Sequence, residues 1–381
     1  MPEAPVPPLV AARPDISAMV GYHSPQVPCS IRLNTNESPF SPPAAWQEAL
    51  ADEIASTDFR RYPDRTAAAL REALASHHGV RADQVFAANG SNEVLQTICL
   101  AYGGAGRRAL VFEPTYTMHR QIAQVTGATI VDGPRRADLT IDPLDAVAAI
   151  GEHQPSIVFL CSPNNPTGLI ESRSVVEAVL AAAPGIVVVD EAYGQFADWS
   201  AVEMMHEGAA VCVVRTYSKT WAMAGARLGY LLAPSWMTAE LDKVVLPYHL
   251  DSMKQAAGRL ALRYEPDMRA RVQELVTQRT RVLAGLERLA LQVWPSQANF
   301  VLFRPLHHGA DDVWSELVKR DVLVRNCSSW RGLTNCLRVT IGTGPENDAF
   351  LAALSSILGA QSQDGDSFET PTNPRESAVV R

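Results

Sequence analysis

The stretch RTYSKTWAMAGARLGY at 215–230 places a lysine where the rest of the chain would use arginine. The sequence has 33 Lys and Arg residues, and only four are lysine, at 219, 243, 254 and 319. Arginine stays protonated, whereas a lysine amine can give up its proton and attack a carbonyl. Lys219, set between Ser218 and Thr220 at the end of an apolar run, is therefore read as a Schiff-base lysine. The plainer reading, a surface lysine laying its stem on apolar neighbours, does not explain the avoidance of arginine.

Further reactive or ligand-holding residues stand where other apolar runs end. Gly90-Ser91-Asn92-Glu93 follows QVFAAN and opens a helical pattern. Asn164-Asn165-Pro166-Thr167-Gly168 follows SIVFLCSP, and Asp190-Glu191-Ala192-Tyr193 follows GIVVV. Each has an ordinary interpretation as a helix start, a turn or a satisfied polar residue. Together with a lysine imine they fit one cofactor, pyridoxal phosphate. A phosphate asks for amides, hydroxyls and an arginine at a helix start, and Ser91, Asn92, Thr216, Ser218 and Arg227 offer them. A pyridinium nitrogen needs a carboxylate that keeps the ring an electron sink, which suits Asp190. Asn165 and Tyr193 can face the ring hydroxyl, and Tyr116 in EPTYTMH can stack on the ring.

The elements that position these residues are legible as alternating apolar runs and helix-period segments. Runs at 84–89, 109–114, 156–163, 185–193 and 210–218 are continuously apolar, as expected of strands buried on both faces of a parallel sheet. TAAALREALASHHG predicts a helix capped by Gly79, and SNEVLQTICLAYGG one that begins at a capping Ser91. Residues 254–290 read as a long helical stretch. Shorter strand runs follow at 298–303, 321–326 and 336–342, with a helix over 313–320 between them. The expected fold is α/β: a large doubly wound, mostly parallel sheet domain over 45–285 and a smaller α+β domain over 286–360. Residues 1–44 form an N-terminal arm and small-domain segment, the first fifteen extended, and 361–381 read as a disordered tail.

Composition narrows the partners. A net charge of −8 and a pI near 5.6 argue against nucleic acid or an anionic membrane surface. No apolar run approaches the roughly 20 residues of a membrane helix, and the proline-rich start lacks the features of a signal peptide. Six scattered cysteines without CxxC spacing read as reduced core residues of a cytoplasmic protein. His77-His78 and His307-His308 lack ligand context, so no metal site is expected.

In this order, GSNE, NNPTG, DEAY and S-K-x(7)-R resemble the fold-type I pyridoxal-phosphate aminotransferases of the class I/II group. Within that group the chain looks most like the histidinol-phosphate aminotransferases. The resemblance extends from about Tyr22 to Leu358 through RLNTNESPF, RRYPD, ANGSNEVLQ, VVVDEAYGQF, ANFVLF and NCLRVTIG. It implies transfer of an amino group from L-histidinol phosphate to 2-oxoglutarate, with Lys219 carrying the cofactor and shuttling the proton. It also implies a homodimer in which Tyr62 reaches the partner's cofactor phosphate. Arg338 would anchor the substrate's acidic group and Arg325 its phosphate, and Tyr22 and Asn36 would belong to the lid and the substrate pocket. For Arg325 the competing reading is a surface ion pair on the small domain. Ser38 departs from the commoner asparagine, and Tyr217 and Trp221 are bulkier than usual beside the lysine. The loop RNCSSWRGLTN at 325–335 also resembles that of threonine-phosphate decarboxylases, while CLRVTIG favours the aminotransferases. An aromatic amino-acid aminotransferase is a further alternative, and a non-catalytic cofactor-binding regulator a remote one.

Overall fold

The computed structural model describes residues 10–17, 19–21 and 27–360, so Tyr22, residues 1–9 of the arm and the tail at 361–381 lie outside it. In chain order the strands are β1 (Ile31–Leu33), β2 (Val85–Ala88), β3 (Arg108–Val111), β4 (Thr129–Asp132), β5 (Ile157–Cys161) and β6 (Ile186–Asp190). They continue with β7 (Val211–Thr216), β8 (Gly229–Leu232), β9 (Leu291–Val293), β10 (Phe300–Pro305), β11 (Val322–Asn326) and β12 (Leu337–Thr340).

The larger sheet has the order β2-β8-β7-β6-β5-β3-β4. From β4 to β7 its neighbours run parallel, and β8 lies antiparallel to both β7 and β2. Every residue of β5, β6 and β7 is buried, which is why these runs are apolar without alternation. Phe159 and Val188 pack against Val94, Leu95 and Ile98 of the helix Ser91–Tyr102 on one face. Leu160, Val187 and Val189 pack against Val175 and Val179 of the helix Arg173–Ala182 on the other. Helices thus cover both faces, the α/β arrangement expected.

The smaller sheet has the order β1-β11-β12-β10-β9, with β1 parallel to β11 and the remaining pairs antiparallel. Val313, Leu317, Phe350 and Leu354 from two helices share a core with Phe300, Val301, Val324 and Val339 of this sheet.

Three local expectations need correction. The helix Ser91–Tyr102 is preceded by Gly90 at φ 83, with no side-chain cap, so Ser91 is its first helical residue rather than its cap. The stretch at 254–290 is broken into Ser252–Ala261, a 3-10 turn at Leu262–Tyr264 and Glu265–Leu286. Pro266 has no N–H to continue the first helix and is tolerated only in the opening turn of the next. In the arm, Pro14–Ser17 makes a short helical turn, tied down by Arg13, whose guanidinium donates to the carbonyl of Val125 at 2.9 Å. Gly79 caps Ala68–His78 in the left-handed region, at φ 67.

Candidate active site

The carboxyl ends of β2, β5, β6 and β7 open into one cavity of about 350 Å³, lined also by residues of β11 and β12. Sheets of this kind leave ligands room at their strand ends, where backbone groups are free of the ladder. The cavity gathers Asn36, Ser91, Asn92, Tyr116, Asn165 and Asp190. It also gathers Tyr193, Thr216, Ser218, Lys219, Arg227, Arg325 and Arg338.

Its phosphate end is built around Gly90. The peptide turns there at φ 83, so that the helix Ser91–Tyr102 starts with its free N–H groups toward the cavity. A Cβ on Gly90 would lie 2.8 Å from Nη2 of Arg227, and one on Gly229 2.3 Å from the amide nitrogen of Ser91. Two missing side chains therefore leave room for the guanidinium and the helix start. Thr216 Oγ1 lies 3.0 Å from Ser218 Oγ and accepts the Ser218 N–H at 3.1 Å, while Arg227 Nη1 donates to Ser218 Oγ at 3.4 Å. Hydroxyls, amides and a guanidinium so arranged suit a phosphate ester.

Lys219 Nζ donates to the carbonyl of Thr35 at 3.1 Å. Burial pushes the amine's pKa down to about 8, helped by the nearby Arg338 and Arg227 and opposed by Glu37. An amine so tuned is available as a nucleophile near neutral pH.

Asp190 is 1% exposed, at the end of β6. One carboxylate oxygen lies 2.9 Å from His119 Nε2, and the other accepts the N–H of Ala192 at 3.1 Å. The imidazole stacks on Phe159, with centroids 4.9 Å apart, and meets the edge of Tyr116. Its Nδ1 is buried with no hydrogen-bond partner among the described residues. The tautomer with its proton on Nε2, donated to Asp190, fits that arrangement. The only mark of His119 in the sequence is its place three residues after Tyr116, on the same face of a helix start.

Asn36 donates through Nδ2 to the Tyr193 hydroxyl at 2.9 Å, and its own N–H is held by Thr340 Oγ1 at 3.0 Å. Burial raises the Tyr193 phenol to about 12, so it stays protonated, with Arg338 and Asn36 acting the other way. Arg338 donates to Asn165 Oδ1 at 2.5 Å and to the Asn34 carbonyl at 2.8 Å. Tyr116 donates to Asn92 Oδ1 at 3.0 Å. Asn34, Glu37, Cys161 and Trp330 also line the cavity without having been anticipated. Tyr62 is not among the lining residues; it is 80% exposed and stacks on Tyr248 at 4.5 Å. Tyr217 and Trp221 turn away into a core with Leu70, Leu74 and Leu260, so their bulk does not narrow the site.

Residues 29–354 match the family model for aminotransferase class I and II. The histidinol-phosphate aminotransferase of Thermobifida fusca (strain YX) is 45% identical over 91% of this chain and 95% of its own. That of Corynebacterium efficiens is 43% identical, over 91% and 95%. The crystal structure of a histidinol-phosphate aminotransferase from Sinorhizobium meliloti with pyridoxal-5'-phosphate superposes with a TM-score of 0.82. It shares 24% identity and is covered over 97% of its length, against 91% of this chain. L-Threonine-O-3-phosphate decarboxylase from Porphyromonas gingivalis gives a TM-score of 0.74 at 20% identity, over 86% of this chain and 99% of its own. At that distance the two structures speak for the fold alone. The curated relatives and the family model say more: the chain belongs to the class I and II aminotransferases, enzymes of amino-group transfer that depend on pyridoxal 5'-phosphate.

Proposed function

We propose that the enzyme transfers the amino group of L-histidinol phosphate to 2-oxoglutarate, giving imidazole-acetol phosphate and L-glutamate in histidine biosynthesis. The observation that carries this reading is the pair Arg325 and Arg338, buried and directly opposed across β11 and β12 beside Lys219. Two buried guanidiniums match a phosphate dianion, and a single fork suffices for a carboxylate. The relatives from Thermobifida fusca and Corynebacterium efficiens carry the name of the same reaction.

Pyridoxal phosphate, when bound, supplies an electron sink that acidifies the substrate's Cα–H. In this reading Ser91, Asn92, Thr216, Ser218 and Arg227 hold the phosphate, and Tyr116 covers the ring. Asp190, oriented by His119, keeps the ring nitrogen protonated, while Asn165 and Tyr193 face the ring hydroxyl. Lys219 would hold the cofactor through its amine and, as the base beside the substrate, would take up and return the proton at Cα. Arg338 and Arg325 fix the acidic end of each substrate, and Asn36 sets the direction of the Tyr193 hydroxyl.

The division at 45–285 and 286–360, a homodimer with Tyr62 reaching across, Tyr22 as part of a lid and a cytoplasmic location belong to the same proposal. No helix of the described residues is long and apolar enough to cross a membrane. The deciding experiment presents the purified holoenzyme with L-histidinol phosphate, phenylalanine and L-threonine phosphate in turn, with 2-oxoglutarate as acceptor. Glutamate formed fastest from the first is expected. Preference for phenylalanine, or CO2 from threonine phosphate without glutamate, would overturn the substrate assignment.

A further inference from the structure

Arg325 and Arg338 pose a physical problem. They are direct cross-strand partners in an antiparallel pair, and both are buried, at 8% and 4% exposure. Like charges in that relation repel, and burial removes the water that would screen them. Arg338 has Asn165 Oδ1 and the Asn34 carbonyl as acceptors. Facing both cations is the indole of Trp330, whose centroid lies 5.5 Å from the guanidinium carbon of Arg325 and 6.0 Å from that of Arg338. The negative face of an aromatic ring attracts a guanidinium at such distances, more strongly away from water.

The ring is held there by its backbone. Cys327 N–H donates to the Cys336 carbonyl at 3.0 Å and closes the neck of the loop at 327–336. Within it, Trp330 N–H donates to the Cys327 carbonyl at 2.9 Å, and Leu333 N–H to the Trp330 carbonyl at 3.0 Å. Leu333 is fully buried, and Arg331 pairs with Asp132 of the large sheet's edge strand. Trp330, with Arg325 and Asn34, lines both the cofactor cavity and a second cleft of about 630 Å³ that also holds Asp311, Asn326 and Ser328.

We propose that Trp330 sets the preference of this site for a phosphate monoester over a carboxylate. The inference rests on Arg325 and Arg338 being the anion anchors. A carboxylate has one charge and two oxygens, and the planar fork of Arg338, positioned by Asn165 and Asn34, can satisfy it. A phosphate ester carries nearly two charges and three free oxygens, and needs both guanidiniums at one spacing. The indole holds them at that spacing against their repulsion. Without the ring the two cations move apart under their repulsion, and the phosphate loses its second cation while the carboxylate keeps its first.

The test compares holoenzyme bearing Trp330→Ala, Trp330→Leu or Trp330→Phe with Arg325→Ala. The readouts are KM for L-histidinol phosphate, KM for 2-oxoglutarate and the inhibition constant of inorganic phosphate, with cofactor content and thermal unfolding followed alongside. Trp330→Ala and Trp330→Leu should raise both phosphate-dependent constants roughly tenfold, equivalent to about 1.4 kcal/mol, and the constant for 2-oxoglutarate by far less. Trp330→Phe, which keeps a ring, should recover most of the loss. Equal losses for both substrates, or a leucine variant as good as the phenylalanine one, would overturn the proposal. If Arg325→Ala weakens phosphate binding and the Trp330 variants do not, the anchors stand and the role of Trp330 falls. If Arg325→Ala itself leaves L-histidinol phosphate unaffected, the anchor reading falls first.

Discussion

A lysine whose pKa is pushed down to about 8 by burial and two guanidiniums makes a directional prediction about pH. Capture of the cofactor aldehyde needs the neutral amine, and the neutral fraction falls about tenfold for each pH unit below the pKa. Apoenzyme mixed with pyridoxal phosphate should therefore take it up faster as pH rises from 6 toward 8 and level off above, followed by the visible absorbance of the lysine-bound cofactor. A flat profile, or a rise continuing to the ordinary lysine range, would contradict the assignment. Lys219→Ala should show no such absorbance and no borohydride-stable label. A second prediction concerns His119. Its hydrogen bond to a buried carboxylate is of the kind worth about 1.5–3 kcal/mol. His119→Phe, which keeps a ring on Phe159, should therefore slow turnover roughly ten- to hundredfold with the fold retained; unchanged turnover would make the contact merely structural. Lys219 was legible because its residue type stood against the rest of the composition. His119 was not, because a lone histidine on a helix gives no sign of what faces it until the end of β6 is placed beside it.

At the level of elements, the sequence told most where burial leaves the least freedom. β5, β6 and β7 are buried along their whole length, and their uninterrupted Val, Ile and Leu mark them as central strands. β4 at the sheet edge, with no fully buried residue, and three-residue β1 and β9 carry too little pattern to be separated from loops. β8 sits within the motif that follows Lys219, and nothing local in Gly-Tyr-Leu-Leu says that it runs antiparallel to its neighbours. Gly229, its first residue, joins strand placement to the site, because its bare Cα lets the Ser91 amide come close. Gly229→Ala should push back the start of the helix Ser91–Tyr102, since its Cβ would sit 2.3 Å from the Ser91 nitrogen. The expected outcome is a cofactor dissociation constant raised at least roughly tenfold, as for a displaced charge-assisted contact of about 1.4 kcal/mol or more. Titrating apoenzyme with pyridoxal phosphate measures it. An unchanged constant would mean that the helix start does not hold the phosphate.

On the scale of the whole molecule, one cavity is shared by two sheets: Lys219 and Asp190 come from the larger, Arg325 and Arg338 from the smaller. Its position also bears on the Tyr62 surface. Phe59, Tyr62, Leu246 and Tyr248 are exposed at 65%, 80%, 76% and 41%, with Tyr62 stacked on Tyr248. Exposed apolar residues gathered in this way mark interaction surfaces. This one adjoins the phosphate end of the cavity, because the carbonyl of His249 accepts from Asn89, next to Gly90, at 2.8 Å. In a twofold dimer built on that surface each partner offers the other the same residues, so Tyr62 of one subunit can complete the site of its neighbour. The consequence is a complementation test. Lys219→Ala chains lack the amine but keep Tyr62, and Tyr62→Ala chains have the reverse defect. In a hybrid dimer one site then has both groups and the other has neither. Random pairing of equal amounts makes about half the dimers hybrid, so roughly a quarter of all sites should be intact, given twofold pairing. Co-expressed variants, purified together, should reach about that share of wild-type turnover, well above the mean of the two variants alone. Activity no higher than that mean would place Tyr62 outside the neighbouring site, and a monomer at working concentration in sedimentation would remove the shared site altogether.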